Sequence, residues 1–348
     1  MKYRLLQWLA CPSCRSTDLR LETVKARTVP ASRGYFEPNE DVPGVDLELG
    51  EEQEILEGAL HCSLCAAVYA IRDGIPRMML ADTESGPPSR HYETQLDASL
   101  PEWEQQFNEL ASPLAPPDFL GKLVLDAGCG FGRHLFFAAR YGAEVIGLDS
   151  SEDGVESAKR NTNTLNRVHI VQGDLHQPPF REGCFDLTYA YGVLHHVPDP
   201  LDAFKVLGTT LKAGGRISLF VYGPRQGMTL AINNAIRGIT KDLSAENLET
   251  FSRSIARSLR LFSHTPYRLL QHIPIAKDVV SHLPVHDHHQ WPFDVVVADI
   301  YDRLRVPVTH WFTGEELEGL LADDGYVDVQ VTRRVRNNET FRATGIRR

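Results

Sequence analysis

A chain of 348 residues with a formal net charge of −10 is long enough for one large domain or two smaller ones. The acidic balance disfavours broad, non-specific binding to nucleic acid, which depends on clustered basic residues. No apolar run reaches membrane-spanning length, and MKYRLLQWLACPSC leads directly into cysteines instead of forming a leader. We therefore expect no export, no membrane partner and a cytoplasmic location.

The N-terminal segment carries two CxxC pairs, Cys11 with Cys14 and Cys62 with Cys65. In a cytoplasmic chain such pairs indicate four thiolates around a structural Zn²⁺, the alternative being four reduced cysteines without metal. The pairs are farther apart than the roughly 15 to 20 residues usual in a zinc ribbon. We interpret the acidic stretch 36–57 as a loop inserted between two knuckles.

The residues around the cysteines, LLQWLACPSC and HCSLCAAVYAIRDGIPRMM, resemble the N-terminal zinc ribbon that precedes some bacterial methyltransferases and is similar to the small methyltransferase-activator proteins. The resemblance implies a zinc-ribbon domain over residues 1–80. A closed four-sulfur site leaves no open coordination position, so its expected role is folding and docking.

A polar linker and one helix are predicted over residues 81–118. The helix is expected from His91 to Leu110, with Trp103 and Phe107 one turn apart on its apolar face. This helix either covers a ligand bound in the following domain or packs against its sheet.

The segment from Leu123 to His134, LVLDAGCGFGRH, joins a buried strand, an acid and three glycines to a helix start. A dinucleotide fold would show GxGxxG with a pyrophosphate at the helix N-terminus. Here the motif is GxGxG, and Asp126 stands two residues before Gly128. That carboxylate would repel a pyrophosphate but suits a ligand that carries an ammonium and a sulfonium, which indicates S-adenosylmethionine.

Further strands follow, each ending in a polar or glycine-rich loop. AEVIGLDSS ends its strand at Asp149, which is placed to accept the ribose hydroxyls of a nucleotide. VHIVQGDLHQPPF ends at Asp174, which could take an adenine amino group while Leu175 packs on the ring. FDLTYAYGVLHHVPDP and LKAGGRISLFVYG complete the series.

This ordered set, from Gly121 to Gly223, resembles the class I S-adenosylmethionine-dependent methyltransferases. The resemblance implies an α/β fold for residues 119–348, with a seven-stranded, mostly parallel, Rossmann-like sheet. Each acid could instead be an ordinary strand-end cap or turn former. The implied cofactor contacts are Asp126, Gly128 and Gly130 for the methionine end, Asp149 and Ser150 for the ribose, and Asp174 and Leu175 for the adenine.

Candidate catalytic residues follow the fourth strand. His195 and His196 in YGVLHHVPDP lie beside the methyl group by analogy with the fold, and a histidine offers a base near neutral pKa. Tyr191 is a further candidate. A histidine pair also occurs here in methyltransferases of differing chemistry, so a structural role is the alternative for at least one of them.

Residues 224–311 change to helix-like segments without a nucleotide motif, and we interpret them as a helical substrate-binding insertion. Thr313 and Glu316 then form a capping box for a helix that ends at Gly325. VDVQVTRRV and TFRATGIRR predict a final pair of strands.

Two groups of polar residues in this part of the sequence each have two interpretations. One histidine group is dense enough for a metal or substrate site, but its irregular spacing favours packing; it comprises His282, His286, His288, His289 and His310. The triplet Arg336, Asn337 and Asn338 either contacts a polar substrate or forms a turn.

The sequence thus predicts an enzyme that transfers methyl from S-adenosylmethionine to a small-molecule or saccharide acceptor, with oxygen as the favoured atom. One alternative is an RNA guanine methyltransferase that uses the zinc ribbon to dock RNA. A second is a non-catalytic scaffold that binds the cofactor. The acceptor and the oligomeric state stay open.

Overall fold

The structure, a computed structural model, describes residues 1–31, 45–46, 51–80, 97–224, 236, 238–240, 242–281, 283, 288–305, 310–334 and 337–348. The chain divides into two compact units. Unit 1 comprises Met1–Pro224 and Thr309–Arg348, and unit 2 comprises Arg225–Val308.

The N-terminal part of unit 1 is a five-stranded antiparallel sheet that follows a short 3-10 helix, Tyr3–Gln7. Strand β3 lies at its centre and pairs with β1, β2 and β4, while β5 pairs with β4. The strands are β1 (Leu19–Pro30), β2 (Val45–Asp46), β3 (Glu51–Cys62), β4 (Val68–Arg72) and β5 (Ile75–Pro76).

The predicted loop of residues 36–57 is wrong wherever the structure describes it, since Val45–Asp46 form β2 and Glu51 to Glu57 belong to β3. Strand β1 pairs with β3 from Leu19 opposite Cys62 to Pro30 opposite Glu51. Two twelve-residue strands therefore fill about half of the interval between the CxxC pairs. Residues 36–44 and 47–50 of the predicted loop lie outside the described residues.

The rest of unit 1 is built on a seven-stranded sheet in the order β11-β12-β10-β9-β6-β7-β8. The five strands from β8 to β10 are mutually parallel, and β12 and β11 add antiparallel. This confirms the predicted seven-stranded, mostly parallel sheet. The strands are β6 (Leu123–Ala127), β7 (Glu144–Asp149), β8 (Val168–Gln172), β9 (Phe185–Tyr191), β10 (Leu211–Tyr222), β11 (Tyr326–Arg334) and β12 (Asn337–Arg347).

Helices connect and cover these strands. The predicted capping box is confirmed: the Thr313 hydroxyl accepts the Glu316 N–H, and the Glu316 carboxylate accepts the Thr313 N–H. The helices of unit 1 are α1 (Pro101–Ala111), α2 (Arg133–Arg140), α3 (Glu152–Asn161), α4 (Pro200–Thr209) and α9 (Gly314–Asp323), with 3-10 turns at Pro116–Asp118 and Leu194–His196.

Helix α1 begins at Pro101, ten residues later than the predicted start at His91. Residues 91–96 lie outside the described residues, and Asp97 accepts the Ser99 N–H in a turn before the helix. Proline at the first helical position is favourable because its missing N–H has no intrahelical partner there. Trp103 and Phe107 are both buried, as their spacing predicted.

The N-terminal sheet continues onto β8, the edge strand of the large sheet. Arg77 forms a parallel bridge with Gln172, and the Met78 N–H donates to the Gln172 carbonyl oxygen over 2.8 Å. Edge strands expose unpaired backbone groups, so this contact covers an edge that would otherwise pair with another chain.

Buried charges also join the two sheets. Arg4 is fully buried; its Nη2 lies 3.0 Å from Glu144 Oε1 and donates to the Asn166 carbonyl oxygen over 2.7 Å. His169 Nε2 lies 2.6 Å from the same Glu144 oxygen. From the N-terminal sheet, Glu52 Oε2 approaches Arg4 Nε to 3.5 Å. The two sheets thus share one hydrogen-bonded ionic cluster.

Unit 2 is helical throughout its described elements. One helical rod runs without a break from α5 (Ala245–Leu259) through a π-helical turn (Arg260–His264) into α6 (Thr265–Leu270). It is followed by α7 (Pro274–Val280) and α8 (Phe293–Arg305). Over the described part of the chain, no helix combines the length and apolarity needed to cross a membrane.

Candidate functional site

The candidate site lies where the parallel strands of the large sheet end. Strands β6, β7, β8 and β9 run in the same direction, so their C-terminal loops meet at one edge. Open α/β sheets bind ligands at this edge. We refer to these loops and the residues that face them as the carboxyl edge.

The glycine turn after β6 requires glycine at two positions. Gly128 has φ +84°, and a Cβ there would lie 2.4 Å from Val193 Cγ2, in the loop after β9. Gly130 has φ +49°, but a Cβ built there meets no atom within 4 Å. Gly128 therefore permits the loops after β6 and β9 to pack closely. At Gly130 the absence of a side chain leaves the main chain accessible from an open space. A ligand can approach the main chain at Gly130.

Asp149, at the end of β7, is tied to that same turn. Its Oδ2 accepts the Gly130 N–H over 2.8 Å, and its Oδ1 accepts the Ser151 N–H over 2.9 Å. Burial raises the pKa of Asp149, and these two backbone donors lower it. Each carboxylate oxygen keeps a second lone pair. Asp149 can therefore hold the turn and still accept ligand hydroxyls.

Asp126 is 1% exposed at the end of β6, and Tyr189 donates to its Oδ2 over 3.0 Å. Burial raises the pKa of Asp126 to about 8, the Tyr189 hydrogen bond lowers it, and the nearby Asp149 raises it further. A cationic ligand would compensate for two buried acids. The carboxylates and the open backbone thus fit S-adenosylmethionine, which carries an ammonium, a sulfonium and ribose hydroxyls.

The predicted adenine contacts lie after β8. Asp174 Oδ1 accepts the His176 backbone N–H and lies 2.9 Å from His176 Nδ1. His176 Nε2 reaches the Asp199 carbonyl oxygen at 3.1 Å. Leu175 is buried. Ser150 is half-buried, and its carbonyl oxygen accepts from Gln172 Nε2. The roles predicted for Asp174, Leu175 and Ser150 stay predictions.

The three candidate catalytic residues differ in accessibility. His195 is fully buried, and its ring stacks on Tyr222 with the centroids 4.1 Å apart. The Tyr191 hydroxyl lies 2.9 Å from Ser218 Oγ, and burial raises the pKa of Tyr191. His196 is half-buried, with its ring centroid 4.1 Å from that of His195. His196 is therefore the best placed of the three to meet an acceptor.

Helix α1 adds polar atoms that the sequence did not single out. Trp103 and Phe107 pack inward, on the Phe131 ring of the glycine turn and on the Tyr191 ring of β9. Glu102 and Gln106 precede them along the same inward stripe. Glu102 Oε2 and Gln106 Oε1 are buried without a hydrogen-bond partner.

Burying an acceptor oxygen without a hydrogen-bond donor costs free energy. A bound molecule that presents N–H or O–H groups to these two oxygens would remove that cost. From the sequence alone, Glu102 and Gln106 look like ordinary polar surface positions of an amphipathic helix. Which side of α1 is buried depends on the sheet against which the helix packs. Only the apolar spacing of Trp103 and Phe107 gave a signal.

The four paired cysteines form a compact cluster in the N-terminal sheet. Their sulfurs all lie within 4.8 Å of one another, with Cys11 to Cys65 at 3.6 Å and Cys14 to Cys62 at 3.5 Å. A tetrahedral zinc site with Zn–S bonds of about 2.3 Å needs sulfurs about 3.8 Å apart. Four thiols at this spacing therefore fit Zn²⁺.

Among the residues that the structure describes, the histidines of the predicted group do not form a comparable ligand set. His288 stacks on Trp291 with the centroids 3.7 Å apart, and His289 packs near Tyr267. His310 Nε2 lies 3.0 Å from the Pro198 carbonyl oxygen. Of the described residues, the four cysteines alone form a group with metal-ligand geometry. His282, His286 and Arg336, and the side chains of Asn337 and Asn338, lie outside the described residues.

The parallel sheet, the glycine turn and the two strand-end acids are arranged as in a Rossmann-like methyltransferase fold. Residues 125–219 match the family described as "Methyltransferase domain", and residues 2–74 match the family described as "Trm112p-like protein". The chain thus contains a methyltransferase domain and an N-terminal Trm112p-like segment, and both resemblances expected from the sequence are confirmed.

Several proteins are similar over part of the chain. A 37.1 kDa transposon protein of Streptomyces fradiae is 39% identical over 100 residues, 28% of this chain and 29% of that protein. Demethylmenaquinone methyltransferase of Staphylococcus haemolyticus is 39% identical over 102 residues, 28% of this chain and 42% of its own length. The chain thus spans less than half of these curated relatives.

Among solved structures, a SAM-dependent methyltransferase from Aquifex aeolicus is 14% identical with a TM-score of 0.39. The alignment covers 72% of this chain and 98% of that one.

Proposed function

We propose that this protein is an enzyme that transfers a methyl group from S-adenosylmethionine to a small-molecule acceptor. The observation that carries the proposal is the carboxyl edge, where Asp126 and Asp149 flank a glycine turn that leaves open space over Gly130. In this proposal Asp126, Gly128 and Gly130 hold the methionine end, Asp149 and Ser150 the ribose, and Asp174 and Leu175 the adenine.

S-adenosylmethionine supplies an electrophilic methyl group, and the protein has to align a nucleophile opposite the sulfur in a water-poor pocket. Helix α1 contributes by covering the edge with Trp103 and Phe107, which exclude water. The buried oxygens of Glu102 and Gln106 accept hydrogen bonds from the cofactor or the acceptor. His196 takes the proton from an acceptor hydroxyl, and His195 holds the His196 ring in place by packing.

The acceptor in this proposal is a small molecule or saccharide, methylated at oxygen. The net charge of −10 disfavours a polyanionic acceptor. The relatives named demethylmenaquinone methyltransferase support a small acceptor in general. A hydroxyl acceptor has to lose its proton, and histidine is the most common general base, which is the reason for placing His196 in that role.

We further propose that Cys11, Cys14, Cys62 and Cys65 bind one structural Zn²⁺. Zinc closes the end of the N-terminal sheet, which packs on β8 and so supports the methyltransferase domain. Four thiolates can bind zinc only if they are not oxidised to disulfides, which is the case in a reducing compartment. A cytoplasmic location therefore forms part of the proposal.

RNA is the second candidate acceptor, and the Trm112p-like segment is the observation that favours it. A screen that transfers labelled methyl to cell extract, separated into RNA, protein and small molecules, distinguishes the candidates. Label in the small-molecule fraction supports the proposal. Label in the RNA fraction, together with RNA binding that weakens steeply as the salt concentration rises, would make RNA the favoured acceptor instead. Cofactor binding without any labelled product would favour a non-catalytic scaffold.

A further inference from the structure

Unit 2 carries an exposed apolar stripe that the methyltransferase proposal does not use. The helical rod formed by α5, the π turn and α6 is continuous, so residues three or four apart share a face. Four large apolar side chains are more than half exposed along this rod and in the turn after it. They are Leu261 at 63%, Phe262 at 70%, Leu269 at 69% and Ile273 at 51%.

Basic side chains lie between these apolar ones. Arg257 is exposed one turn before Leu261, and Arg268 is exposed beside Leu269. Between Glu249 and Asp278 the sequence contains five basic residues and no acid. Of these, Arg253 is paired with Glu249 and Asp294, and Arg268 also donates to the His289 carbonyl oxygen. The stripe therefore presents positive charge and apolar surface together, in a chain whose net charge is −10.

An open apolar cavity of about 510 Å³ adjoins the stripe. Its walls include Ile255, Leu259, Phe262 and Leu283, together with three serines. Exposed apolar surface of this kind marks an interaction site on a protein surface. The cavity offers room for an acyl chain or for another inserted apolar group.

We propose that this stripe docks on the surface of an anionic lipid bilayer. Helices that lie in a membrane interface combine exposed Leu and Phe with Lys or Arg, and anionic headgroups attract the basic residues. Nucleic acid would satisfy Arg257 and Arg268 but would leave Leu261, Leu269 and Ile273 against water. The mixture of charge and apolar surface therefore favours lipid over nucleic acid.

The expectation of no membrane partner rested on the lack of an apolar run long enough to span a bilayer. Docking in the interface needs no such run, since only the apolar face of a helix enters the headgroup region. The stripe would bring the protein to acceptors that partition into membranes. It stands independently of the proposed methyl transfer.

Co-sedimentation of the full chain with vesicles tests the proposal. We expect binding to phosphatidylcholine vesicles that contain about one third phosphatidylglycerol, and much weaker binding to phosphatidylcholine alone. The double variant Phe262→Asp and Leu269→Asp should bind at least about tenfold more weakly, because it places charge where apolar burial is needed. Arg257→Gln should lose about fivefold on the anionic vesicles only.

Val24→Asp is the matched control, since Val24 is 76% exposed on β1. It should bind vesicles like the wild type. All the altered positions are exposed, and circular dichroism would verify that the variants fold. Absence of wild-type binding, or equal binding by the double variant, would overturn the proposal. Binding of a structured RNA that depends on Arg257, without vesicle binding, would replace lipid with RNA.

Discussion

The cysteine cluster and the carboxyl edge are both assembled from short loops of unit 1, but they are completed differently. The four sulfurs face one another within 4.8 Å, so a single metal ion would satisfy all of them. At the carboxyl edge, Asp149 uses each carboxylate oxygen once, and Gly130 faces open space. The cysteine cluster is therefore suited to stabilising the fold, and the carboxyl edge to binding and releasing a ligand.

Zinc removal should have the largest effect, because metal binding to structural sites contributes about 10–16 kcal/mol to folding in small domains. We expect about one zinc per purified chain by elemental analysis. Cys62→Ser should lose the metal and unfold the N-terminal sheet, as followed by proteolysis. Cys184→Ser, outside the cluster, should keep it. Metal-free protein with four free thiols would show that the cluster is not a zinc site.

Arg4→Ala tests whether the N-terminal sheet and the large sheet are joined by the buried ionic cluster. Removing Arg4 leaves Glu52 and Glu144 without their main positive partner, so urea unfolding should show a loss of about 3–5 kcal/mol. Arg27 pairs with Glu54 but is 55% exposed, and Arg27→Ala should cost about 1 kcal/mol or less. Equal losses for the two variants would argue against the cluster as the main link.

Asp149→Asn tests the open site directly. The amide retains one acceptor oxygen but loses the charge and the second acceptor, so affinity for S-adenosylmethionine should fall about 100-fold. Equilibrium dialysis with labelled cofactor measures the change. Glu152→Gln, exposed on the first turn of α3, is the matched control and should bind normally. Unchanged affinity in Asp149→Asn would remove this residue from the cofactor site.

His196→Ala should affect chemistry without affecting cofactor binding. If His196 takes the acceptor proton, turnover should fall about 100-fold while the dissociation constant of the cofactor stays the same. Turnover is measured on the acceptor found by the labelled-methyl screen. An unchanged rate would assign the residue to packing beside His195.

The smallest effect concerns pH and Asp126. A cationic cofactor favours the carboxylate, and the pKa of Asp126 is about 8. Protonation therefore competes with binding below pH 8, and affinity should fall about tenfold from pH 9 to pH 7. The wild-type affinity at each pH is divided by the affinity of the Asp126→Asn variant at the same pH. This ratio cancels any pH dependence that comes from protonation of the cofactor itself. A ratio that does not vary with pH would refute this role.

Tyr189→Phe refines the same measurement. The Tyr189 hydroxyl lowers the pKa of Asp126 by donating to its carboxylate. Removing it should move the midpoint of the affinity profile upward by about 0.7 pH unit, the equivalent of a hydrogen bond of about 1 kcal/mol.

The sequence predicted those features that depend on local patterns. The apolar run before Asp126, the glycine turn and the Thr313 capping box each follow from residues a few positions apart, and the structure has the corresponding strand, turn and helix. The final strand pair was predicted for the same reason. Local geometry also brings the two cysteines of each CxxC pair together.

Features that depend on distant residues were missed. The acidic composition of Glu51 to Glu57 favours a loop, whereas these residues form the first half of β3, because their pairing with β1 is not visible in a local pattern. The burial of the Glu102 and Gln106 oxygens depends on the sheet beneath α1, which no local pattern describes. The bridge from Arg77 to Gln172 joins residues far apart in the chain, and no periodicity could indicate it.

Calorimetric titration of the wild-type chain tests most directly whether the carboxyl edge is a site for S-adenosylmethionine and not for a dinucleotide. We expect one binding site per chain for S-adenosylmethionine and for its demethylated product, and no binding of NAD. Heat from NAD, or none from S-adenosylmethionine, would contradict it.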